Sequence, residues 1–158
     1  DRHNKIVNSL KKMDVKIKFI SDGDVSGVIY VVDDKFPVDI YLGIGGGPEG
    51  VLAAAALSCL GGQIQGRLYL NEEQKIKAKK MGIIDYKKKF NIDEMIKGDV
   101  MFFATGVTNG DLIKGIKDQG EYFEASTLVL HKDSKTNKII TNKHKKWVHF
   151  QLLEKNGF

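Results

Sequence analysis

A glycine-rich segment, residues 45–50 with the sequence GGGPEG, constrains this chain more than any other feature. The apolar run before it, residues 38–44, is predicted to be a buried strand. The run after it, residues 51–60, is dominated by alanine and leucine, which are strong helix formers. The sequence therefore predicts a strand-to-helix turn, with Pro48 at the first helical position, which proline favours.

Such a turn has the properties of an anion-binding site. Glycines let backbone amides approach a ligand closely, and a helix N-terminus favours negative charge. Glu49 adds a carboxylate at the same end, so we expect phosphate chemistry assisted by a metal ion. The alternative is a turn needed only for close helix packing, because an acidic residue in the first turn stabilises any helix. A nucleotide-binding domain is a further alternative, but neither the P-loop nor the dinucleotide fingerprint is present.

Composition predicts one ordinary globular domain, residues 1–158. A single cysteine, Cys59, excludes an internal disulfide and predicts a cytoplasmic protein with a buried structural thiol. The longest apolar run, about ten residues, is too short to span a bilayer. The net charge is +5, but the lysines at residues 75–89 are typical of the solvated face of a helix, and we expect no nucleic-acid partner.

Apolar periodicity and capping signals predict alternating helices and strands that end in a hairpin. The predicted helices are residues 3–13, 51–60, 72–81, a short helix after Asn91, and 112–116. The predicted strands are residues 15–20, 38–44, 63–70 and 100–104. Residues 25–32 are predicted to be either a short helix or a strand. Residues 121–131 and 138–153 are predicted to form the hairpin. We therefore expect an α/β fold with a layered, mostly parallel sheet, flanking helices and an antiparallel C-terminal hairpin.

Three loops that follow predicted strands are expected to share one crevice, because ligands of open α/β sheets bind beyond the carboxyl ends of strands. They are residues 22–24, 45–50 and 105–111. The first, Asp22-Gly23-Asp24, offers carboxylates for Mg²⁺, Mn²⁺ or a sugar hydroxyl, or is merely an Asp-Gly turn. The third is rich in small polar groups that bind ligand hydroxyls or cap a helix. The four histidines show no zinc-site spacing and are assigned no chemistry.

Read together, these segments resemble the C-terminal half of GlpX-type class II fructose-1,6-bisphosphatases. The segments that carry the resemblance are residues 1–2 (DR), 20–25 (ISDGDV), 43–51 (GIGGGPEGV), 59–62 (CLGG), 65–68 (QGRL), 80–82 (KMG) and 104–111 (ATGVTNGD). Two positions depart from the family pattern: Gly47 stands where alanine is common, and Asn4 replaces a second arginine. The second departure weakens the expected phosphate contacts near the N-terminus.

The resemblance implies a sugar-phosphatase fold of the lithium-sensitive type and hydrolysis of the 1-phosphate of fructose 1,6-bisphosphate in gluconeogenesis. Some members of the family also accept sedoheptulose 1,7-bisphosphate. It implies Mg²⁺ or Mn²⁺ as cofactor and a homo-oligomer at full length. By the family pattern Glu49 is a metal ligand, and the sugar-phosphate-binding residues are Asp1, Arg2, Asp22, Gly23, Asp24 and Gly46.

The resemblance covers only half of the family's protein. Most acidic metal ligands and the catalytic residues are expected in the preceding half, so we expect the isolated chain to be inactive. The contrasting interpretation is a non-catalytic module that binds a phosphorylated sugar.

Overall fold

The computed structural model describes residues 2–20 and 23–146, which divide into two compact units, Asp1–Val100 and Met101–Phe158. In its described part the first unit is mainly helical with one small antiparallel strand pair, and the second is an antiparallel sheet. Two compact units can belong to one domain if they unfold together, and compactness alone does not show whether they do. The prediction of a single domain therefore stays a prediction. No helix in these ranges is long and apolar enough to cross a membrane.

Local signals define the first three helices. Helix α1 is Asn4–Lys12, as its apolar stripe predicts. Residues 25–32, open in the sequence, form helix α2, Asp24–Ile29, followed by a 3₁₀ turn, Tyr30–Val32. Helix α3, Gly47–Leu60, confirms the predicted helix after the glycines, with Pro48 in its first turn. It ends at Gly61, whose φ of 76° is the left-handed conformation that favours glycine.

Both predicted capping boxes are present. Asn71 precedes helix α4, which is Glu72–Lys80. The side chain of Asn71 accepts a hydrogen bond from the amide of Gln74 at 2.8 Å, and the side chain of Gln74 accepts one from the amide of Asn71 at 2.9 Å. Asn91 and Glu94 form the same arrangement at the short helix α5, Ile92–Met95. These reciprocal bonds satisfy amides that a helix leaves without an internal partner, which explains why both helices begin where the sequence predicts.

The core of the first unit lies between α2, α3 and α5. Its buried residues are Val28, Ala53, Ala54, Leu57 and Ile92. Three of the five come from α3, and two of these are alanines, so small side chains face the neighbouring helix. The packing of α2 on α3 therefore fixes the relative positions of the segments just before each helix.

The predicted parallel sheet is not formed by the described residues, whose strand pairings are all antiparallel. Strand β1, Gln65–Arg67, pairs with β2, Lys89–Asn91, so only three residues of the predicted strand 63–70 are a strand. Residues 15–20 and 38–44 form no strand, and the predictions there are wrong. In the second segment Ile40 is 64 % exposed, although burial was expected. An apolar pattern favours an extended chain, but a strand also requires a pairing partner. The lithium-sensitive phosphatase type of fold stays a prediction.

The second unit is built on the predicted C-terminal hairpin. Strand β5, Tyr122–His131, pairs along its whole length with β6, Thr136–Lys145. On its other side β5 pairs with β3, Met101–Thr105, and with the two-residue strand β4, Lys117–Asp118. The hairpin is thereby confirmed within residues 122–145, and the predicted part beyond residue 146 lies outside the described residues. The strand predicted at residues 100–104 is confirmed as β3, and β5 occupies the centre of this sheet.

The helix predicted at residues 112–116 is wrong. These residues form a loop, in which the side chain of Asn109 accepts a hydrogen bond from the amide of Gly115 at 3.0 Å. The amide of Ile116 donates to the carbonyl of Val107 at 3.2 Å, and this bond closes the loop on itself. A polar side chain that bonds to nearby backbone competes with helix formation, and five residues are too few to outweigh it.

The packing of α3 generates a test with two leucines of the same helix. Leu57 is 2 % exposed and Leu52 is 51 % exposed. We expect Leu57→Ala to lower the free energy of unfolding by about 2–5 kcal/mol, because it leaves a cavity in the core. Leu52→Ala is the matched control and should cost less than about 1 kcal/mol. Urea unfolding followed by circular dichroism measures both, and equal losses would contradict the assignment of the buried face.

Candidate functional site

A cavity of about 190 Å³ opens in the first unit beside the N-terminus of α3. The polar side chains and glycines that line it include Asp24, Tyr41, Gly45, Gly46 and Glu49. Asp24 from the first predicted loop and residues of the second, 45–50, therefore line the same cavity. They meet because α2 starts at one loop and α3 starts at the other.

The N-terminus of α3 is open to a ligand. Residues 45–49 are exposed, and Gly46, the residue at the N-cap position, has no side chain with which to cap the helix. The first amides of a helix carry partial positive charge and lack partners within the helix. This end of α3 can therefore bind an anion, as the sequence predicts.

Glu49 lies directly against Gly46. A Cβ atom at position 46 would collide with Oε2 of Glu49. Gly46 has φ −69° and ψ 146°, a conformation open to any residue, so a side chain at position 46 would displace the end of the Glu49 side chain and would not strain the backbone. At Gly47, by contrast, an added Cβ meets no heavy atom within 4 Å, and alanine would fit. The departure from the family pattern at Gly47 is thus structurally harmless.

Asp24 is placed by the glycine before it. Gly23 has φ 73°, a left-handed conformation that turns the chain into α2 with Asp24 as its first residue. The Oδ2 atom of Asp24 lies 3.1 Å from the position that a Cβ of Gly45 would occupy. The Asp24 carboxylate therefore stands next to the glycine turn, where it can accept hydrogen bonds from a ligand.

Tyr41 is a site residue that sequence reasoning missed. Its ring lies close to Gly27 and Gly43, and it lines the cavity together with Asp24. Burial, followed by the charge of Asp24, raises the pKa of Tyr41, while the positive charge of Arg2 opposes the shift. The phenol therefore stays neutral and remains a hydrogen-bond donor. The available signal was a tyrosine two residues before a glycine at the edge of the glycine-rich turn.

His3 also has a role that the sequence did not indicate. The amide of Ile44 donates a hydrogen bond to Nε2 of His3 at 2.9 Å. This bond requires Nε2 to be unprotonated, so the neutral ring carries its proton on Nδ1. It ties the start of α1 to the segment that leads into the glycine turn. Because 41 residues separate the partners, no local pattern predicts the contact.

The remaining predicted site residues are in different situations. Arg2 is exposed, and its charge acts on Tyr41, which lines the cavity. Gly23 is exposed at the start of α2. Asp1 and Asp22 lie outside the described residues. The assignment of these residues to substrate and of Glu49 to a metal stays a prediction.

The third predicted loop, residues 105–111, belongs to the second unit. There the hydroxyl of Thr105 is 2.8 Å from that of Thr127, and Asn109 holds the amide of Gly115 at 3.0 Å. Neither side chain caps a helix, because the described residues form no helix after this loop; both instead bond within the sheet and the loop of the second unit.

The residues at the cavity fit part of a metal site. The carboxylates of Asp24 and Glu49 are hard oxygen donors of the kind that Mg²⁺ and Mn²⁺ prefer. Within residues 2–20 and 23–146, however, no group of three or more histidine, cysteine, aspartate or glutamate side chains is placed to hold a metal ion. These residues can therefore contribute ligands but do not complete the coordination of such an ion, which takes about six oxygens.

Comparison with known proteins agrees with the sequence pattern. The family described as bacterial fructose-1,6-bisphosphatase, glpX-encoded, matches residues 1–144. The chain belongs to this family. The resemblance drawn from the glycine-rich turn and its neighbouring segments is thus confirmed.

Curated relatives from two organisms show how much of the family's protein the chain represents. The D-fructose 1,6-bisphosphatase class 2/sedoheptulose 1,7-bisphosphatase of Synechococcus sp. (strain JA-3-3Ab) is 33 % identical over an alignment of 159 positions, gaps included, that covers 92 % of this chain and 46 % of that protein. The fructose-1,6-bisphosphatase class 2 of Haemophilus influenzae is 33 % identical over an alignment of 157 positions, gaps included, that covers 90 % of this chain and 47 % of that protein. The chain spans about half the length of these relatives.

The contact between His3 and Ile44 can be tested by stability. We expect His3→Ala to lower the free energy of unfolding by about 1 kcal/mol, because a half-buried amide loses its acceptor. His144→Ala is the control, since His144 is exposed on β6 and its loss should change stability by less than about 0.5 kcal/mol. Urea unfolding measures both variants. Equal stability of His3→Ala and the parent chain would show that the bond does not hold the glycine segment.

Proposed function

We propose that this chain is the sugar-phosphate-binding half of a class 2 fructose-1,6-bisphosphatase, which hydrolyses the 1-phosphate of fructose 1,6-bisphosphate. One observation carries the proposal: the family's glycine-rich turn and Asp24 line a single cavity at the N-terminus of α3. The names of the relatives support both fructose 1,6-bisphosphate and sedoheptulose 1,7-bisphosphate as substrates.

The charges around the cavity suggest how a sugar phosphate is bound. The phosphate group suits the positive groups, which are the first amides of α3 and the guanidinium of Arg2. The carboxylate of Asp24 would repel phosphate but accepts hydrogen bonds readily, so it suits a sugar hydroxyl. Asp1, Asp22, Gly23 and Gly46 complete the proposed substrate-binding set. In this arrangement one side of the cavity recognises the phosphate and the other recognises the sugar.

Glu49 is the proposed ligand for Mn²⁺ or Mg²⁺. Its carboxylate lines the cavity beside Gly46, where an ion would lie close to a phosphate at the helix N-terminus. When bound, the metal supplies positive charge that neutralises the phosphoryl oxygens during hydrolysis. Glu49 contributes one ligand and keeps it in place, and the other ligands and the catalytic residues are proposed to come from the other half of the enzyme.

The proposed enzyme works in the cytoplasm as a homo-oligomer and binds neither membranes nor nucleic acid. The lysines of α4 support the last point, because Lys75 pairs with Glu72 at 2.6 Å and Lys77 with Glu73 at 2.7 Å. Those lysines are thus part of a mixed, solvated helix face. The buried thiol of Cys59 is consistent with a reducing compartment.

The alternative function is a module that binds a phosphorylated sugar without hydrolysing it. The specific observation in its favour is that the described residues provide no metal-binding group of three or more side chains. It applies if the chain acts without the other half of the family's protein.

The division of labour between the two halves predicts the behaviour of the isolated chain. We expect the purified 158 residues to bind fructose 1,6-bisphosphate but to release no inorganic phosphate from it in the presence of Mn²⁺, because the metal site is incomplete. Calorimetry measures the binding and a phosphate-release assay measures the turnover. Metal-dependent turnover by this chain would refute the proposed division, and absence of binding would refute the proposed substrate site.

The role of Glu49 is tested in the full-length enzyme. We expect Glu49→Gln to lower Mn²⁺-dependent activity by more than the roughly 10–100-fold typical of residues that only support metal ligands, with little change in thermal stability. The matched control is Glu73→Gln, which removes an exposed carboxylate paired with Lys77 on α4. Unchanged activity of Glu49→Gln would remove Glu49 from the metal site.

A further inference from the structure

We infer that Gln65 is a further substrate-binding residue of the cavity, whose side-chain carbonyl accepts a hydrogen bond from a sugar hydroxyl. The inference rests on the proposed function, because it assigns a residue to the sugar side of that site. Gln65 begins strand β1, is exposed and lines the cavity. Unlike the two carboxylates there, its side chain is a neutral amide that carries both a donor and an acceptor.

Asn91 fixes the orientation of the Gln65 amide. The two residues face each other in the register of β1 and β2, and Nε2 of Gln65 donates a hydrogen bond to Oδ1 of Asn91 at 3.1 Å. Asn91 is also the capping residue of α5, where its side chain accepts from the backbone amide of Glu94. Only the oxygen of an asparagine side chain can accept, so the group of Gln65 that faces this oxygen is its NH₂ group. The carbonyl oxygen of Gln65 therefore lies on the other side of its amide.

The backbone on either side of Gln65 is anchored in the first unit. Ile64 packs against the core and lines the cavity. Gly66 pairs with Phe90 of β2, and a Cβ on Gly66 would lie 3.0 Å from Cε of Met95. Met95 belongs to α5 and also packs against the core. The Gln65 side chain thus extends from a fixed position, which lowers the cost of ordering it when a ligand binds.

The carbonyl oxygen of Gln65 is the atom that remains for a ligand. Within residues 2–20 and 23–146 it accepts no hydrogen bond. An amide oxygen only accepts hydrogen bonds, and the oxygens of an ionised phosphate also only accept, so the two cannot bond to each other. A sugar hydroxyl has the hydrogen that this oxygen needs. Gln65 therefore suits the sugar, while the phosphate is assigned to the amides of α3 and to Arg2.

The test replaces Gln65 by methionine in the full-length enzyme. Methionine is a flexible, unbranched side chain without an amide. We expect KM for fructose 1,6-bisphosphate to rise about three- to tenfold, which is the range for loss of one neutral hydrogen bond. The kcat should stay the same, because a hydroxyl away from the reacting phosphate is bound equally in the ground state and the transition state. The inhibition constant of inorganic phosphate should also stay the same.

Gln63→Met is the matched control. Gln63 is exposed two residues earlier and is not among the described residues that line the cavity. This variant should change neither KM nor phosphate inhibition. Thermal unfolding of both methionine variants should match that of the parent enzyme, because both glutamines are exposed.

Asn91→Ser tests the fixed orientation of the amide. Serine is a good N-cap, so α5 keeps its start, but its shorter side chain does not replace the bond to Gln65. We expect KM for fructose 1,6-bisphosphate to rise by a smaller factor than in Gln65→Met. In a Gln65→Met background, Asn91→Ser should cause no further change, because no amide remains to be oriented.

Several results would overturn the inference and leave the proposed function intact. They are an unchanged KM in Gln65→Met, a fall in kcat alone, an equal weakening of phosphate inhibition, and an effect of Asn91→Ser that is absent or that persists without Gln65. If the full-length parent enzyme does not hydrolyse fructose 1,6-bisphosphate, the proposed function fails, and this inference fails with it.

Discussion

The packing of α3 against α2 is the constraint on which the candidate site depends. The buried alanines Ala53 and Ala54 meet Val28 and form the core of the first unit with Leu57 and Ile92. Small side chains on α3 allow a close approach, and native packing density leaves little room for the helices to shift. Asp24 begins one helix and the glycine turn leads into the other, so apolar packing sets the distance between the polar groups of the cavity. The affinity of the site and the stability of the unit are therefore linked.

Four glycines around the cavity make room for neighbouring side chains and are not required by an unusual backbone conformation. Gly45 and Gly46 do not have positive φ angles, and their hydrogen atoms face Asp24 and Glu49 respectively. Gly27 and Gly43 make room for the ring of Tyr41 in the same way. Sequence reasoning predicted glycines that expose amides to a phosphate. In the structure the absence of a Cβ has a second consequence, because it leaves room next to the chain for two carboxylates and a phenol.

Local signals could be read from the sequence, and long-range contacts could not. Gly61 and the capping boxes at Asn71 and Asn91 define helix ends through neighbours within a few residues, so those predictions hold. The strand predicted at residues 38–44 fails because a strand needs a partner, and an apolar pattern does not say where the partner lies. Of the candidate site, the turn with Glu49 and the loop with Asp24 were found. His3 and Tyr41 were missed, because their places at the site depend on contacts with Ile44, 41 positions from His3, and with Gly27, 14 positions from Tyr41.

The charges of the cavity favour cooperative binding of a metal ion and a phosphate in the proposed enzyme. The Asp24 and Glu49 carboxylates both line the cavity, whereas Arg2 is exposed. A bisphosphate that enters the cavity would be repelled by Glu49, because two negative charges at close range repel each other by several kcal/mol near a protein surface. A divalent cation on Glu49 would reverse the sign of that interaction. In the proposed enzyme the metal and the substrate should therefore bind cooperatively, and by linkage each must raise the affinity of the other by the same factor.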